Sequence, residues 1–187
     1  MMPTVLRIRQ AARALARGGL VAYPTEAVFG FGCDPLNTDA LERLLALKGR
    51  RADMGLILLA GDRGQLDAWL GPLRASDEAR LAETWPGPVT WIVPAAPWVP
   101  RLLTGGRDTL AVRVTAHPLA AGLSLAADTP IVSTSANVSG RAPARTTLQV
   151  RRRFGADLDA VLAGPVGGLA RPTEIRDLAS GRTLRAA

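Results

Sequence analysis

The chain has little of what enzymes use for covalent or metal chemistry. Its 187 residues include one cysteine, Cys33, and one histidine, His117. A single thiol forms no internal disulfide and excludes a multi-cysteine zinc site, so a reducing cytoplasm is the expected location. No GxxxxGK[ST] phosphate loop, GxSxG elbow or HExxH helix occurs. A Cys33/His117 nucleophile pair has no motif around either residue, and an inert buried cysteine is the commoner case. No apolar run approaches the ~20 residues that span a bilayer, so no membrane partner is expected. Arg7, Arg9, Arg13 and Arg17 interrupt the stretch from Met1 to Gly19, which therefore lacks the core of a secretory leader. Aromatic residues make up 4% of the chain, which argues against platforms that stack single-stranded nucleic acid.

Lysine is as scarce as cysteine. Of 23 basic residues, 22 are arginine and one is lysine, Lys48. Arginine has replaced lysine wherever either serves, and a surviving lysine then marks a place where a compact three-donor ammonium does what a planar guanidinium cannot. Survival by chance is the competing explanation. The net charge of +7 calls for an anionic partner without saying which.

What is present describes one globular domain over residues 1–187. Apolar residues are 48% and charged residues 21%, and a chain of this length buries roughly two-thirds of its unfolded surface. Apolar spacing predicts helices over 8–17, from Asn37 or Thr38 to Lys48-Gly49, and over 76–84, 118–126 and 147–154. Short apolar runs predict strands at 20–23, 55–60, 89–93, 110–114, 131–133 and 160–162. Strands alternating with helices give an α/β fold around one central sheet, and the close spacing of some strands makes that sheet mixed. Ligands in such folds sit where loops leave the strand ends.

Several segments there hold chemistry-bearing side chains. After the first strand, the loop 23–35 holds Thr25 and Glu26, a hydroxyl and a carboxylate placed to meet a ligand's amine and hydroxyl. Its Gly30-Phe31-Gly32 lacks the spacing of a dinucleotide fingerprint, and a Pro-initiated turn explains its glycines equally well. Lys48, Arg50 and Arg51 cluster at a helix C-terminus. They complement the helix dipole or hold a phosphate or carboxylate. Ser133, Ser135, Asn137 and Ser139 follow a buried strand at alternate positions, so an extended backbone puts them on one face suited to neutral hydrogen bonds with a nucleotide. A serine-rich loop is the plainer alternative. Arg113 interrupts the apolar strand 110–114 and either lies along the sheet or points into a cleft as an anion ligand.

Six segments in order, YPTEAVFGFGCDP, KGR at 48–50, WPGPVTWIVP, LAVRVTAHPL, STSANVSG and PTEIRD, resemble the YrdC/TsaC family of threonylcarbamoyl-AMP synthases over about residues 5–185. The chain looks like the short bacterial form, without the further C-terminal domain of longer synthases. The resemblance implies a twisted sheet flanked by helices with a deep basic cleft. It implies condensation of L-threonine, bicarbonate and ATP to threonylcarbamoyl-AMP and pyrophosphate, with Mg²⁺ accompanying ATP, in tRNA modification. By the same resemblance Lys48 and Arg50 are the catalytic cations on the ATP phosphates. Arg113, Ser133, Ser135, Asn137 and Ser139 complete the ATP site, and Thr25, Arg113 and Thr173 bind threonine. No protein ligand for the metal is implied, while tRNA or the threonylcarbamoyl-transferase machinery are implied partners. Met54 stands where relatives often carry lysine or asparagine. An RNA-binding module without catalysis is the competing reading, favoured by the net charge and the Arg151-Arg152-Arg153 run.

Overall fold

The computed structural model describes residues 4–186. Nine strands form one mixed sheet in the order β7-β1-β2-β6-β3-β5-β4-β8-β9. They are β1 (Val21–Pro24), β2 (Phe29–Gly32), β3 (Ile57–Ala60), β4 (Val89–Pro94), β5 (Thr109–Val114), β6 (Ile131–Ser135), β7 (Ala160–Val161), β8 (Glu174–Asp177) and β9 (Thr183–Arg185). The helices are α1 (Thr4–Ala16), α2 (Thr38–Lys48), α3 (Ala75–Ala82), α4 (Arg101–Thr104), α5 (Pro118–Ala127) and α6 (Thr147–Phe154), with 3-10 turns at Ala52–Met54 and Arg63–Trp69. The expected α/β class and mixed sheet are therefore present, with parallel pairs β1–β7, β3–β5 and β4–β8 among antiparallel ones.

Local chemistry explains the main elements. Asn37 caps α2 by accepting from the Ala40 amide, and Gly49 ends it in the left-handed region at φ 56°. The apolar face of α2, Leu41 and Leu44, joins Phe29, Phe31, Leu58 and Val112 of the sheet and Val150 and Phe154 of α6 in the larger core. On the opposite sheet face, α1 and α5 bury Leu15, Ala120 and Leu123 against Tyr23, Leu59 and Ile131. That helix cover ends near β3. Beyond it, Ile57, Ala111, Ile92 and Ile175 form the open floor of a cleft.

The expected loop at 23–35 is corrected to a hairpin. β2 pairs antiparallel with β1 and lies inside the sheet beside β6. Its glycines hide the strand pattern for a steric reason. A Cβ on Gly32 would sit 2.4 Å from the Val132 carbonyl oxygen and 2.8 Å from the Tyr23 ring. The strands β8 and β9 also lie outside the sequence reading, because PTEIRD and TLR are polar and short.

Candidate active site

The cleft has a volume of about 570 Å³, within the range of small-molecule sites. Four arginines line it, Arg50, Arg107, Arg113 and Arg185, and among the described residues no carboxylate does. A second hollow of about 350 Å³ adjoins it, sharing Arg50, Met54, Ser135 and Asn137 and adding Lys48, Arg51, Ser139 and Gly140. Such a concentration of like charge in a partly buried space suits an anionic ligand.

Arg113 lines the cleft from β5. It is 4% exposed, donates from Nη1 to Thr173 Oγ1 at 2.6 Å, and has Nη2 3.3 Å from Glu26 Oε2. Its Nε is buried without a hydrogen-bond partner among the described residues. Glu26 takes a different part from the one expected. Its Oε1 accepts from Thr115 Oγ1 at 2.5 Å and from the Ala116 amide at 3.3 Å, beneath the cleft wall. The carboxylate does not line the cleft. It is the buried counter-charge of Arg113, which explains how an arginine fits inside an apolar strand.

Thr25 lines the cleft at the tip of the β1–β2 hairpin, its Oγ1 donating to Val28 O at 2.7 Å. Thr173, buried just before β8, also lines the cleft. Arg50 follows the Gly49 cap and donates from Nε and Nη2 to Gly55 O at 3.3 and 3.0 Å. Gly55 has φ 62°, and a Cβ there would meet Leu103 O at 2.8 Å, so glycine alone lets α4 close this side. Burial holds the Arg50 guanidinium below its ordinary range. Arg185, unanticipated in the sequence because one arginine among 22 has no signal, donates to Thr173 O at 2.6 Å. Burial, then the charges of Arg113 and Arg50, hold it low as well. The Arg185 guanidinium therefore stands close enough to Arg113 and Arg50 to feel both charges.

The expected one-sided ladder of Ser133, Ser135, Asn137 and Ser139 is corrected beyond Ser135. Ser133 and Ser135 share the cleft face of β6, but the chain bends at Ala136, where the Asn137 amide donates back to Ser135 O at 2.9 Å. The bend keeps Asn137 at the cleft and carries Ser139 into the adjoining hollow, where its amide donates to Lys48 O at 2.8 Å. Ala136 is still held, its amide donating to Phe29 O at 2.8 Å and its carbonyl accepting from the Ala144 amide at 2.9 Å, so alternation fails in the turn beyond it.

Lys48 is 2% exposed. Its Nζ donates to Ser135 O, to Asn137 O at 2.9 Å and to Asn137 Oδ1 at 3.0 Å. Burial, then Arg50, push this ammonium down to about 8. Arg51 is exposed and pairs with Asp53. Met54 is 57% exposed at the junction of the two hollows. Cys33 is buried in the core, its thiol pushed up to about 12 by burial and then by Asp34, which makes it a poor nucleophile. His117 stands before α5 with Nε2 3.1 Å from Pro165 O, and burial is the main cause lowering its pKa. Arg151, Arg152 and Arg153 form the exposed last turn of α6. Among the described residues no cluster of acidic, histidine or cysteine side chains could hold a metal, and no helix is long and apolar enough to cross a membrane.

Comparison with known proteins agrees on one family. The Sua5/YciO/YrdC family model, described as telomere recombination, matches residues 13–187. A threonylcarbamoyl-AMP synthase of Halorhodospira halophila is 57% identical over 179 residues, covering 96% of this chain and 94% of its relative. That of Nitrosococcus oceani is 58% identical over 179 residues, covering 96% and 97%. Among solved structures, Pyrococcus abyssi Sua5 complexed with L-threonine superposes with a TM-score of 0.88 at 34% identity. It covers 94% of this chain, which spans 52% of that longer protein.

Proposed function

This chain belongs to the Sua5/YciO/YrdC family, and from that premise we propose that it is a threonylcarbamoyl-AMP synthase. The observation that carries this reading is the cleft lined by four arginines and, among the described residues, no carboxylate, with the hydroxyls of Thr25, Ser133, Ser135 and Thr173 beside them. The reaction joins three reactants that all bear negative charge. Bicarbonate and the threonine amine combine with loss of water to a carbamate. The carbamate oxygen then attacks the α-phosphorus of ATP, and the bond to the bridging oxygen breaks to release pyrophosphate. A pocket without cations would repel its own substrates.

Arg113, held rigid by Glu26 and Thr173, meets the threonine carboxylate, with Thr25 and Thr173 setting its orientation. The burial of Arg113 favours this assignment, and the Pyrococcus relative's complex with L-threonine supports threonine as the ligand. Arg50 and Arg185 stand further out, where they neutralise the triphosphate and the developing pyrophosphate. Ser133, Ser135 and Asn137 offer neutral hydrogen bonds to the nucleotide, and Ser139 lies beside them. The described lining of the cleft offers Mg²⁺ no carboxylate, so the ion fits as one carried in on the triphosphate. Positioning and charge neutralisation then supply the catalysis without a covalent nucleophile. The product adenylate serves tRNA modification, and a threonylcarbamoyl transferase is the partner that consumes it.

Incubation with ATP, Mg²⁺, L-threonine and labelled bicarbonate tests the reading. A labelled adenylate and equimolar pyrophosphate are expected. RNA binding with a steep salt dependence and no ATP consumption would instead establish the binding-module alternative, to which the exposed Arg151–Arg153 turn contributes.

A further inference from the structure

Thr90 of β4 is 0% exposed, and its hydroxyl has no hydrogen-bond partner among the described residues. A buried hydroxyl left unpaired inside a sheet costs stability and calls for an explanation. β4 runs antiparallel to β5 with Trp91 opposite Val112, and the next step of that register sets Thr90 beside Arg113. On its other side Thr90 stands opposite Ile175 of β8. Ile92, Ala111, Arg113 and Ile175 line the cleft, and alternation puts Thr90 on the same face, beneath that lining. Arg113 reaches from β5 to donate to Thr173 just before β8, and β4 lies between those strands. The guanidinium therefore crosses the face of β4 at Thr90. Arg113 Nε is buried and unpaired as well. An unpaired donor and an unpaired acceptor thus share one spot under the cleft.

We propose that Thr90 is a positioning residue for Arg113, its hydroxyl accepting the Nε–H when the guanidinium takes an anion from the cleft. Thr173 and Glu26 already hold the direction of the fork through Nη1 and Nη2. Neither touches Nε. An anion that fills the cleft drives water from around the fork and lowers the local dielectric, which makes an unpaired N–H more costly. The Nε–H then closes onto the hydroxyl beside it by a small displacement. A guanidinium has five N–H bonds. One goes to Thr173, one is turned to Glu26, and the one on Nε goes to Thr90. Two remain, one on each terminal nitrogen, to meet the two oxygens of a carboxylate. Valine would suit a buried strand position as well as threonine does and would leave no hydroxyl to satisfy, so the fold alone gains nothing from Thr90 Oγ1. That the anion is the threonine carboxylate rests on the functional reading above; the pairing itself does not.

Thr90→Val removes the hydroxyl with little change of shape, and Thr90→Ser keeps it. Thr90→Val should raise the KM for L-threonine about tenfold, the scale of one charge-assisted hydrogen bond, with kcat and the KM for ATP largely kept. It should melt no lower than the parent, because the group it deletes has no partner to lose. Thr90→Ser should behave as the parent. Labelling with ¹⁵N-arginine adds a readout that packing alone would not move. The Arg113 Nε–H resonance, assigned by its loss in Arg113→Lys, should exchange about tenfold more slowly once L-threonine saturates the parent or Thr90→Ser, and not in Thr90→Val. If Thr90→Val does not fold, the resonances of the parent and Thr90→Ser decide alone. A parental KM for L-threonine in Thr90→Val, or a parental Nε–H indifferent to both L-threonine and inorganic pyrophosphate, would overturn the proposal. If the parent makes no adenylate and its Nε–H responds to pyrophosphate alone, the functional reading fails and the pairing stands.

Discussion

Glu26 Oε2 lies 3.3 Å from Arg113 Nη2, with the two side chains 10% and 5% exposed. An ion pair so far from water is held by geometry, because the cost of desolvating both charges nearly offsets their attraction. Here Thr115 and Ala116 hold the carboxylate from behind, and Thr173 holds the guanidinium from the side. Arg113 therefore reaches the cleft with its orientation already set, and no part of the substrate's binding is needed to order it.

Glu26→Gln keeps an acceptor for Thr115 but leaves Arg113 as a buried, uncompensated charge. The expected loss of stability is about 3 kcal/mol, the usual result of removing one partner of a buried pair. Urea unfolding measures it. An added anion such as pyrophosphate should stabilise the variant more than the parent, since it supplies the missing charge. An unchanged unfolding midpoint would show that the pair contributes nothing to the fold.

Arg185→Met removes one of the crowded cations from an edge strand. The fold should survive, because β9 is exposed along its length. The catalytic efficiency with ATP should fall about tenfold to a hundredfold, the scale of one or two charge-assisted hydrogen bonds. Pyrophosphate release at varied ATP checks this. Unaltered kinetics would remove Arg185 from the site.

The Lys48 ammonium, pushed down to about 8, makes activity sensitive to mildly alkaline pH. Turnover should fall as pH rises through about 8, because a neutral amine retains two N–H donors for three acceptors. Stability should respond with the opposite sign. The unfolded lysine titrates near 10.4, so its contribution is complete above about 10.4 and is lost as pH falls through about 8. The buried Cys33 thiol, raised to about 12, works against this trend above about 8.5, where the unfolded thiol ionises. Comparing the pH dependence of unfolding for the parent and Lys48→Met isolates the lysine. Identical slopes for the two proteins would contradict the shift.

Much of the fold was legible because periodicity survives in long elements. The helix over 147–154 and the strands at β4 and β5 coincide with their apolar patterns to within a residue. The missed strands share a cause. In β2 the pattern is Phe-Gly-Phe-Gly, where glycine is required by the close approach of Tyr23 and Val132 and conceals the alternation. In β8 and β9 the residues are half-buried or exposed, so no apolar signal exists to be read.

The sequence by itself determined which chemistry was available: no metal cage, no activated nucleophile, a surplus of arginine, and hydroxyls clustered after a buried strand. Those are properties of side chains, and they do not depend on where the chain goes. Tertiary structure alone decided which groups face the ligand and which face each other. Thr25 and Glu26 are neighbours in sequence, yet one lines the cleft and the other turns beneath it to balance Arg113. Lys48 and Arg50 are two residues apart, yet Lys48 reaches the oxygens of Ser135 and Asn137 beside the second hollow while Arg50 opens onto both hollows. The reason is that a hydrogen-bond partner is chosen by distance in space, and the partners of Glu26 and Lys48 lie 87 to 90 residues along the chain.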